Sequence, residues 1–372
     1  MKIIFTGGHH NSALEVARKI LELKPETRIL WLGHKYTMLG DKSISSEYKE
    51  VTNYNIDFKD LKAGKLYKTL NFIHWVRLPY GFFQSLLFLI RFKPDLVFSF
   101  GGYLAVPVVL AAWILRIPSV THEQTSVTGL ANRFISKFVD KIFITWESSR
   151  KYFNSNKTIL TGLPLRESLL YPKGVIDDFN FKNELPTIYI TGGKQGCHSV
   201  NNIIEKYLAD ILSFTNVIHQ IGSTTITNDF NILTKAHEKL SPELKNRYIP
   251  REYIYENEIG TVFKKADLII SRSGAHTTYE LMTLGKPSIL IPIAWSSHGE
   301  QLANAKKLAD MGLAKVLEEK NIKKDILLKE IKYMLKNLNN YKNSRNKIKN
   351  HIIFDATEKI VGEILKYEKT NN

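Results

Sequence analysis

Cysteine and metal-ligand clusters are scarce in this chain of 372 residues. Its one cysteine, Cys197, cannot form an intramolecular disulfide, which excludes a disulfide-stapled scaffold. No Cys/His cluster has the spacing of a structural zinc site. His9 and His10 are adjacent, so their side chains diverge on most backbones. We therefore predict no metal centre.

Targeting and membrane-spanning segments are also missing from the pattern. The start, MKIIFTGG, lacks the basic, apolar and cleavage regions of a signal peptide. Residues 96–115 are uncharged and about long enough to cross a bilayer. Because Gly101, Gly102 and Pro107 interrupt them, we interpret this stretch as a buried strand, a turn and a core helix. The sequence thus predicts a cytoplasmic protein.

Acidic residues are too few to balance the basic ones. The chain has 52 Lys and Arg against 36 Asp and Glu, a net charge of +16. This excess favours an anionic partner: nucleic acid, an anionic membrane surface or a phosphorylated substrate. Many lysines lie in residues 320–349, where a solvated helix face is the better interpretation. Without an interleaved aromatic and basic motif, we predict no nucleic-acid partner.

Short apolar runs alternate with helical patterns throughout, which is typical of parallel sheets covered by helices. The predicted strands are residues 2–6, 28–32, 96–100, 119–121 and 141–145, then 187–191, 217–221, 268–271 and 288–291. We predict an α/β fold of two Rossmann-like domains facing each other across a cleft. The expected segments are an N-terminal domain (1–165), a linker (166–186), a C-terminal domain (187–350) and a final helix (351–372) that can pack back on the N-terminal domain.

A glycine turn follows the first strand. Ser12 and Glu15 have capping-box spacing, which predicts a helix from near Ser12. Gly7, Gly8 and His9 would then form the turn at its N-terminus. Glycines at such a junction allow close ligand approach, and the backbone N–H groups favour negative charge.

Two further turns repeat this pattern in the second half. Gly192–Gly193–Lys194–Gln195–Gly196 precedes a helix from about Ser199, and Lys194 supplies a cation suited to a phosphate. Ser273–Gly274–Ala275 precedes the next helix. There Glu280 has two open interpretations: it accepts the ribose hydroxyls of a nucleotide, or it forms a capping box with Thr277.

The segment Phe72–Phe92 combines aromatic and leucine side chains with Arg77 and Arg91. The uncharged run between Arg77 and Arg91 is too short to span a bilayer. An interfacial segment, with its apolar side among acyl chains and its cations at anionic head groups, fits this composition. A core helix after Pro79 fits equally well, so the segment alone leaves both interpretations open.

Six segments resemble, in chain order, the UDP-N-acetylglucosamine transferases of peptidoglycan synthesis, the MurG family. They are FSFGGYLAVPVVLAA, IPSVTHEQTSVTGLANRF, TGLPLR, TGGKQG, RSGAHTTYELMTLGKPSILIP and GEQLANAKKL. The resemblance covers most of residues 1–316. It implies a GT-B glycosyltransferase that holds UDP-N-acetylglucosamine mainly in the C-terminal domain. It places a polyprenyl-diphosphate-linked acceptor against the N-terminal domain.

The resemblance also assigns candidate site residues. His9 matches the histidine of the family's glycine-rich loop, a candidate for acceptor binding or for proton transfer as the catalytic residue. The acceptor-binding candidates are Gly8, Gly101, Gly102, Tyr103, His122, Glu123, Gln124 and Thr125. The donor-binding candidates are Arg166, Gly193, Lys194, Gln195, Gly196, Arg272, Ser273, Gly274, Ala275, Glu280, Gln301 and Asn304. Thr125 and Lys194 stand where the family has asparagine and serine.

The expected reaction is inverting transfer of N-acetylglucosamine to a lipid-linked muramoyl pentapeptide, with no cofactor and no obligatory divalent metal. The enzyme would work as a peripheral protein on the inner face of the cell membrane. One alternative is a UDP-N-acetylglucosamine 2-epimerase, which shares this architecture and donor. Another is a transferase acting on a different polyprenyl-linked or lipid acceptor.

Overall fold

Two parallel sheets organise the chain in the computed structural model, which describes residues 1–36, 44–64, 72–172, 177–222, 227–296, 299–348 and 352–368. The chain divides into two units, Met1–Leu165 with Ile353–Asn372, and Arg166–Ile352. Each unit contains one sheet with helices on both of its faces. The predicted α/β class, with two Rossmann-like domains, is confirmed.

The first sheet has the order β3-β2-β1-β4-β5-β6-β7. Its strands are β1 (Lys2–Thr6), β2 (Arg28–Gly33), β3 (Asp57–Asp60), β4 (Leu96–Ser99), β5 (Ser119–Glu123), β6 (Lys141–Ile144) and β7 (Thr158–Leu160). The second sheet has the order β10-β9-β8-β11-β12-β13. Its strands are β8 (Thr187–Thr191), β9 (Asn216–Gln220), β10 (Tyr248–Arg251), β11 (Leu268–Ser271), β12 (Ser288–Leu290) and β13 (Ala314–Val316).

The described helices follow the strands in the alternation that parallel pairing requires. They are α1 (His10–Leu23), α2 (Ser46–Asn53), α3 (Phe72–Phe92), α4 (Ala105–Ile114), α5 (Leu130–Ile135), α6 (Glu167–Leu170), α7 (His198–Leu212), α8 (Asp229–Glu238), α9 (Pro242–Lys245), α10 (Glu256–Lys265), α11 (Ala275–Leu284), α12 (Glu300–Asp310), α13 (Lys324–Lys336), α14 (Leu338–Ile348) and α15 (Ala356–Leu365). No helix in the described part of the chain is long and apolar enough to cross a membrane.

The four strands that the sequence did not reveal are the four edge strands, β3, β7, β10 and β13. An edge strand pairs on one side only and tolerates polar residues there, so it lacks the continuous apolar run of a central strand. Strand β3 reads DFKD with alternating exposure, and β10 contains Pro250. The pattern of hydrophobic residues therefore identified the inner strands of both sheets and missed their borders.

The C-terminal helix α15 packs against α1 in the first unit. Its buried residues Ile360, Val361 and Ile364 share one core with Phe5 of β1 and Ile20 of α1. In the second unit, α13 buries Leu327, Ile331 and Met334, and its lysines face outward. Within the lysine-rich segment, α13 is thus an amphipathic helix with a solvated basic face.

The segment predicted as a linker, 166–186, belongs to the second unit where it is described. Helix α6 packs against α10, and Phe179 is fully buried. Residues 173–176 of that segment lie outside the described residues.

The start of α1 differs from the expected capping box. The helix begins at His10 with His9 as its N-cap, and no side chain caps it. Ser12 is fully buried, and its hydroxyl donates to the Pro164 carbonyl at 3.1 Å. The capping prediction for Ser12 was therefore wrong, because a long-range contact uses that hydroxyl.

Removing the α15 side chain at Ile360 tests the packing of this helix. Ile360→Ala should lower the free energy of unfolding of the first unit by about 3 kcal/mol, since the cavity cannot fully collapse. The exposed Glu358 of the same helix offers a control, and Glu358→Ala should stay within about 0.5 kcal/mol. Hydrogen exchange, read separately for β1 and β8, should report the loss at β1. An equal loss at β8 would contradict the assignment of α15 to the first unit.

Candidate functional site

Two glycine turns meet at the carboxyl edge of the first sheet. They follow the neighbouring strands β1 and β4. The Gly8 N–H donates to the Gly101 carbonyl at 3.0 Å, and the Phe100 N–H donates to the Thr6 carbonyl at 2.7 Å. A Cβ on Gly7 would lie 2.8 Å from the Phe100 backbone, and the φ of Gly7 is +132°. Only glycine fits there, so the two turns are packed backbone against backbone.

His9 is exposed beside these turns, at the N-terminus of α1. The adjacent His10 lies elsewhere, with its Nε2 atom 3.2 Å from a carboxylate oxygen of Glu50 on α2. His10 is therefore held by an acidic partner, and His9 is the more exposed of the two residues. This arrangement favours His9 over His10 as the residue that exchanges protons with a bound substrate.

Strand β5 ends in His122 and Glu123, which are both buried. The His122 Nε2–H donates to the Gly162 carbonyl at 2.9 Å. Glu123 accepts from the Thr125 hydroxyl at 2.6 Å and from the Asn132 amide at 2.8 Å. Burial raises the pKa of Glu123, and these hydrogen bonds limit that rise. The structure thus uses His122, Glu123 and Thr125 to hold this loop in shape.

Gln124 differs from its neighbours in the same segment. Its side chain is 1% exposed, yet neither amide atom makes a hydrogen bond within the described part of the chain. A buried amide without a partner costs free energy, and such groups are commonly satisfied by a ligand or water. Of these four candidates, Gln124 therefore has the greatest unused capacity to bind an acceptor.

The glycine turn of the second unit follows β8. A Cβ on Gly196 would lie 2.0 Å from the Ile221 carbonyl oxygen, so the chain can cross here only with glycine. Gln220, at the end of β9, braces the turn because its amide donates to the Gly193 carbonyl at 2.9 Å. Lys194 is half-buried and Gln195 is exposed. The structure thus presents the Lys194–Gln195 tip of a rigid turn at the sheet edge.

Arg272 lies directly after β11 and is 8% exposed. Its guanidinium donates to Cys197 Sγ at 2.9 and 3.0 Å, and to the Ile291 carbonyl at 2.9 Å. It also donates to the Ser199 hydroxyl at 2.5 Å and pairs with Glu319 at 2.7 Å. Arg272 thus ties the segments after β8, β12 and β13 together. Cys197 thus accepts hydrogen bonds from Arg272.

Glu280 forms a buried ion pair rather than a helix cap. Helix α11 begins at Ala275 with Gly274 as N-cap, which leaves Thr277 and Glu280 inside the helix. The capping-box interpretation was therefore wrong. An Arg166 Nη atom donates to a Glu280 carboxylate oxygen at 2.8 Å, and His276 Nδ1 lies 3.9 Å from the same oxygen. Burial raises the pKa of Glu280, but Arg166 outweighs it, and the net pKa is about 2.

The turn after β11 is tied to α12. The Ser273 hydroxyl donates to the Gln301 carbonyl at 2.8 Å, and the Asn304 amide donates to the Ser273 carbonyl at 3.2 Å. The Gln301 side chain accepts from the Ile293 N–H at 3.1 Å. These contacts bring Ser273, Gln301 and Asn304 together at the edge of the second sheet. The first unit brings together Gly8, His9, Gly101 and Gly102.

Several residues that shape these sites carry no sequence signal of their own. Asn132, Gln220 and His276 lie within ordinary strand or helix patterns. Gly222, which follows β9 and has a φ of +105°, is different. A glycine just after a strand commonly marks a tight turn, so the sequence could have indicated the turn at Gly222. Among the described residues, no group of His, Cys, Asp and Glu side chains is arranged to hold a metal ion.

Two family models match the chain. The glycosyltransferase family 28 N-terminal domain matches residues 3–144, and the C-terminal domain of that family matches residues 187–360. The chain belongs to glycosyltransferase family 28. The resemblance of the six sequence segments is confirmed by a Clostridium kluyveri protein that is 34% identical over 99% of each chain. That protein is named UDP-N-acetylglucosamine--N-acetylmuramyl-(pentapeptide) pyrophosphoryl-undecaprenol N-acetylglucosamine transferase.

Two solved structures share this fold. MurG of Acinetobacter baumannii aligns with a TM-score of 0.68 at 23% identity, covering 98% of this chain and 99% of that one. A UDP-GlcNAc 2-epimerase from Neisseria meningitidis, bound to UDP-GlcNAc, aligns with a TM-score of 0.67 at 18% identity, covering 98% and 100%. At these identities the likeness concerns the fold, which is the predicted GT-B fold.

The ion pair of Arg166 and Glu280 predicts a pH dependence. Because the pKa of Glu280 is below its ordinary value, the pair stabilises the second unit fully above about pH 4.5. This contribution should fall as pH drops toward 2. At pH 7, Glu280→Gln should lower the free energy of unfolding by about 3 kcal/mol, and the difference from the unmodified protein should shrink toward pH 3. Urea unfolding at several pH values measures this difference in the free energy of unfolding, and hydrogen exchange in β11 shows that it arises in the second unit.

Glu243 supplies the control for this experiment. It pairs with Arg247 in the same unit, but its side chain is 74% exposed. Glu243→Gln should therefore change the free energy of unfolding by less than about 1 kcal/mol. A Glu280→Gln effect that is as large at pH 3 as at pH 7 would refute a stabilising role for the ionised carboxylate.

Proposed function

We propose that this protein transfers N-acetylglucosamine from UDP-N-acetylglucosamine to a sugar hydroxyl of a polyprenyl-diphosphate-linked muramoyl pentapeptide, a step in peptidoglycan precursor synthesis. The observation that carries the proposal is full-length similarity to a transferase of that name, at 34% identity over 99% of each chain. The glycine turns at the edges of both sheets support it, because they supply backbone donors for negatively charged groups.

The second unit holds the donor in this proposal. Backbone N–H groups of the Gly192–Gly196 turn and at the start of α11 face the diphosphate, and Lys194 adds a positive charge. Glu280 accepts the ribose hydroxyls while Arg166 keeps its carboxylate ionised. Gln301 and Asn304 contact the transferred sugar. Arg272, whose donors are engaged within the protein, positions the turns around it.

His9 is the proposed general base. It takes the proton from the acceptor hydroxyl as the oxygen attacks the anomeric carbon and the bond from that carbon to the UDP oxygen breaks. The leaving diphosphate carries away the electron pair, and the positive potential of the donor turns stabilises it. Inversion follows from a single displacement. The first unit would bind the acceptor with Gly8, Gly101, Gly102, Tyr103 and Gln124.

An exposed apolar surface supports a membrane-associated acceptor. On α3, Tyr80, Phe83, Leu87 and Ile90 form one exposed stripe. Leu89 on the other face is fully buried in the core, and Phe82 and Leu86 at the edge of the stripe are partly buried against it, so α3 has a core face and an exposed apolar face. The side chains of residues 72–76 lie outside the described set.

The apolar surface continues on the neighbouring helices. Trp113 and Ile114 of α4, with Leu130 and Phe134 of α5, are each more than 40% exposed. The rings of Trp113 and Phe134 both contact Phe138. Exposed cations border these segments: Arg91, Lys93, Arg116, Arg133 and Lys137. We propose that this surface rests on anionic lipids at the inner face of the cell membrane.

Substitution of His9 tests the chemical step. His9→Ala should lower kcat by roughly 10²–10⁴-fold and leave UDP affinity nearly unchanged, because the base acts on the acceptor. His10→Ala is the matched control and should retain most activity, since His10 pairs with Glu50. Transfer to radiolabelled polyprenyl-diphosphate sugars gives kcat, and calorimetry gives UDP affinity. A more damaging His10→Ala change would show that His9 is not the base.

Incubation with UDP-N-acetylglucosamine alone distinguishes the proposed transferase from the epimerase alternative. An epimerase would produce the manno sugar nucleotide without any acceptor. The proposed transferase should leave the donor intact until the lipid acceptor is added. Formation of the manno product would overturn the proposed reaction.

Vesicle sedimentation tests the apolar surface. The protein should bind anionic vesicles better than neutral ones, and salt should weaken that binding. Serine at Phe83, Leu87 and Ile90 should reduce binding to anionic vesicles by about tenfold or more, because each change removes apolar contact with lipid. The control replaces Leu23, Ile232 and Tyr333, which are exposed on other elements, by serine. Equal losses in both triple variants would place the membrane contact elsewhere.

A further inference from the structure

A pair of aromatic side chains lies above the turn that carries His9. Strand β1 lies between β2 and β4 in the first sheet. His34 follows the last residue of β2, and Tyr103 follows the glycines after β4. Because parallel strands present their carboxyl ends at one edge, a contact between these two residues bridges the end of β1, where Gly7, Gly8 and His9 turn.

The structure contains that contact. His34 Nε2 lies 2.8 Å from the Tyr103 hydroxyl oxygen, and the ring centroids are 5.7 Å apart at a 41° tilt. Among the described residues, this is the one hydrogen bond that the Tyr103 hydroxyl makes. Tyr103 also adjoins Gly102, whose Cβ position would lie 3.6 Å from the Gly8 nitrogen. The His34–Tyr103 pair therefore lies beside the turn of Gly7, Gly8 and His9.

His34 is held on its backbone side by buried groups. Its N–H donates to Glu47 at 3.3 Å, and its carbonyl accepts from the Ser45 hydroxyl at 2.6 Å. The other Glu47 oxygen accepts from the Trp31 indole N–H at 2.7 Å. Trp31 is 1% exposed. The position of the His34 ring is thus determined by the core of the unit.

The surroundings of His34 bear on which partner donates the hydrogen bond between His34 Nε2 and the Tyr103 hydroxyl. Burial lowers the pKa of His34, and Arg77 acts in the same direction, whereas Asp60 and a backbone hydrogen bond with Leu61 raise it. The net pKa is below the ordinary value, so the ring is neutral at pH 7. A backbone group that raises a histidine pKa is a carbonyl accepting from a ring N–H. Since Nε2 faces Tyr103, Nδ1 is the ring nitrogen left to contact Leu61, and we assign the proton of the neutral ring to Nδ1.

With its proton on Nδ1, neutral His34 offers only a lone pair at Nε2. The Tyr103 hydroxyl must therefore donate to His34. Burial also raises the pKa of Tyr103, so this hydroxyl keeps its proton. Because donation uses no lone pair, the hydroxyl oxygen can still accept a hydrogen bond from a bound molecule.

We propose that His34 is a positioning residue that fixes the Tyr103 hydroxyl as a hydrogen-bond acceptor for a hydroxyl or amide N–H group of the lipid-linked sugar. The inference rests on the proposed function and adds a specificity determinant to it. An acceptor sugar that presents a donor group at this point pairs with Tyr103. A sugar that presents only an ether oxygen there cannot pair with Tyr103, because a lone pair of the ether oxygen then faces a lone pair of the Tyr103 oxygen with no hydrogen between them.

Steady-state kinetics with both substrates tests this. Tyr103→Phe should raise the acceptor KM about tenfold, the effect of one lost hydrogen bond, with kcat within about twofold and the donor KM unchanged. His34→Ala should raise the acceptor KM in the same direction. In the Tyr103→Phe background, His34→Ala should add nothing further, since both changes remove one interaction. His34→Gln, which can donate to Leu61 and accept from Tyr103, should restore most of the loss.

The possible results are distinguishable. His237→Ala alters a histidine of the second unit and should leave both KM values unchanged. Additive effects of His34→Ala and Tyr103→Phe, or failure of His34→Gln to rescue a folded protein, would overturn the positioning role. So would an unchanged acceptor KM in Tyr103→Phe, which keeps the ring and its packing. If the unmodified protein transfers no sugar to any polyprenyl-diphosphate acceptor, the proposed function fails first, and this inference falls with it.

Discussion

Close backbone approach at the carboxyl edge of each sheet is the constraint on which the rest of the structure depends. In the first unit, Gly7 lies against the backbone of Phe100, and in the second, Gly196 lies against the Ile221 carbonyl. No side chain larger than hydrogen fits at either crossing. These crossings place the N-termini of α1 and α7 at the sheet edge, where their N–H groups favour anionic ligands. A phosphate-handling enzyme needs such donors held rigidly before the substrate arrives.

Many polar residues of the family motifs make hydrogen bonds within the protein that stabilise the loops at the sheet edges. Arg272 donates to groups from three segments, and Glu123 is surrounded by donors from Thr125 and Asn132. A buried charge is tolerated only when it is paired or hydrogen-bonded, and these networks meet that condition. The same networks hold the loops at the sheet edges in place. Gln124, by contrast, is buried with neither amide atom hydrogen-bonded to a described residue.

In the proposed function, charge and apolar exposure contribute differently to binding at a membrane surface. A net charge of +16 attracts the protein to anionic surfaces over a long range, but gives no orientation. The apolar residues on α3, α4 and α5 are concentrated on the first unit, which also carries His9 and Tyr103. A polyprenyl chain cannot leave the bilayer without exposing its apolar surface to water. An oriented contact through that unit would bring its glycine turns to the lipid surface.

The amino-acid sequence by itself determined the α/β class, the inner strands, the positions of the glycine turns and the family. Those features depend on local patterns, because burial on both faces of a strand and a tight turn each require particular residues within a few positions. The edge strands escaped prediction, since one-sided pairing leaves no continuous apolar run. Likewise, the sequence could not show which side of α3 is exposed, because apolar residues occupy both sides.

Only the tertiary structure decided the partners. Glu280 is paired with Arg166, 114 positions away, rather than capping its own helix, and His34 meets Tyr103 across 69 positions. Ser12 has the spacing of a cap, yet its hydroxyl bonds Pro164. Local spacing states which short-range contacts a side chain could make. Which contact it does make depends on the long-range groups that folding brings within hydrogen-bonding distance, because most buried polar groups are hydrogen-bonded.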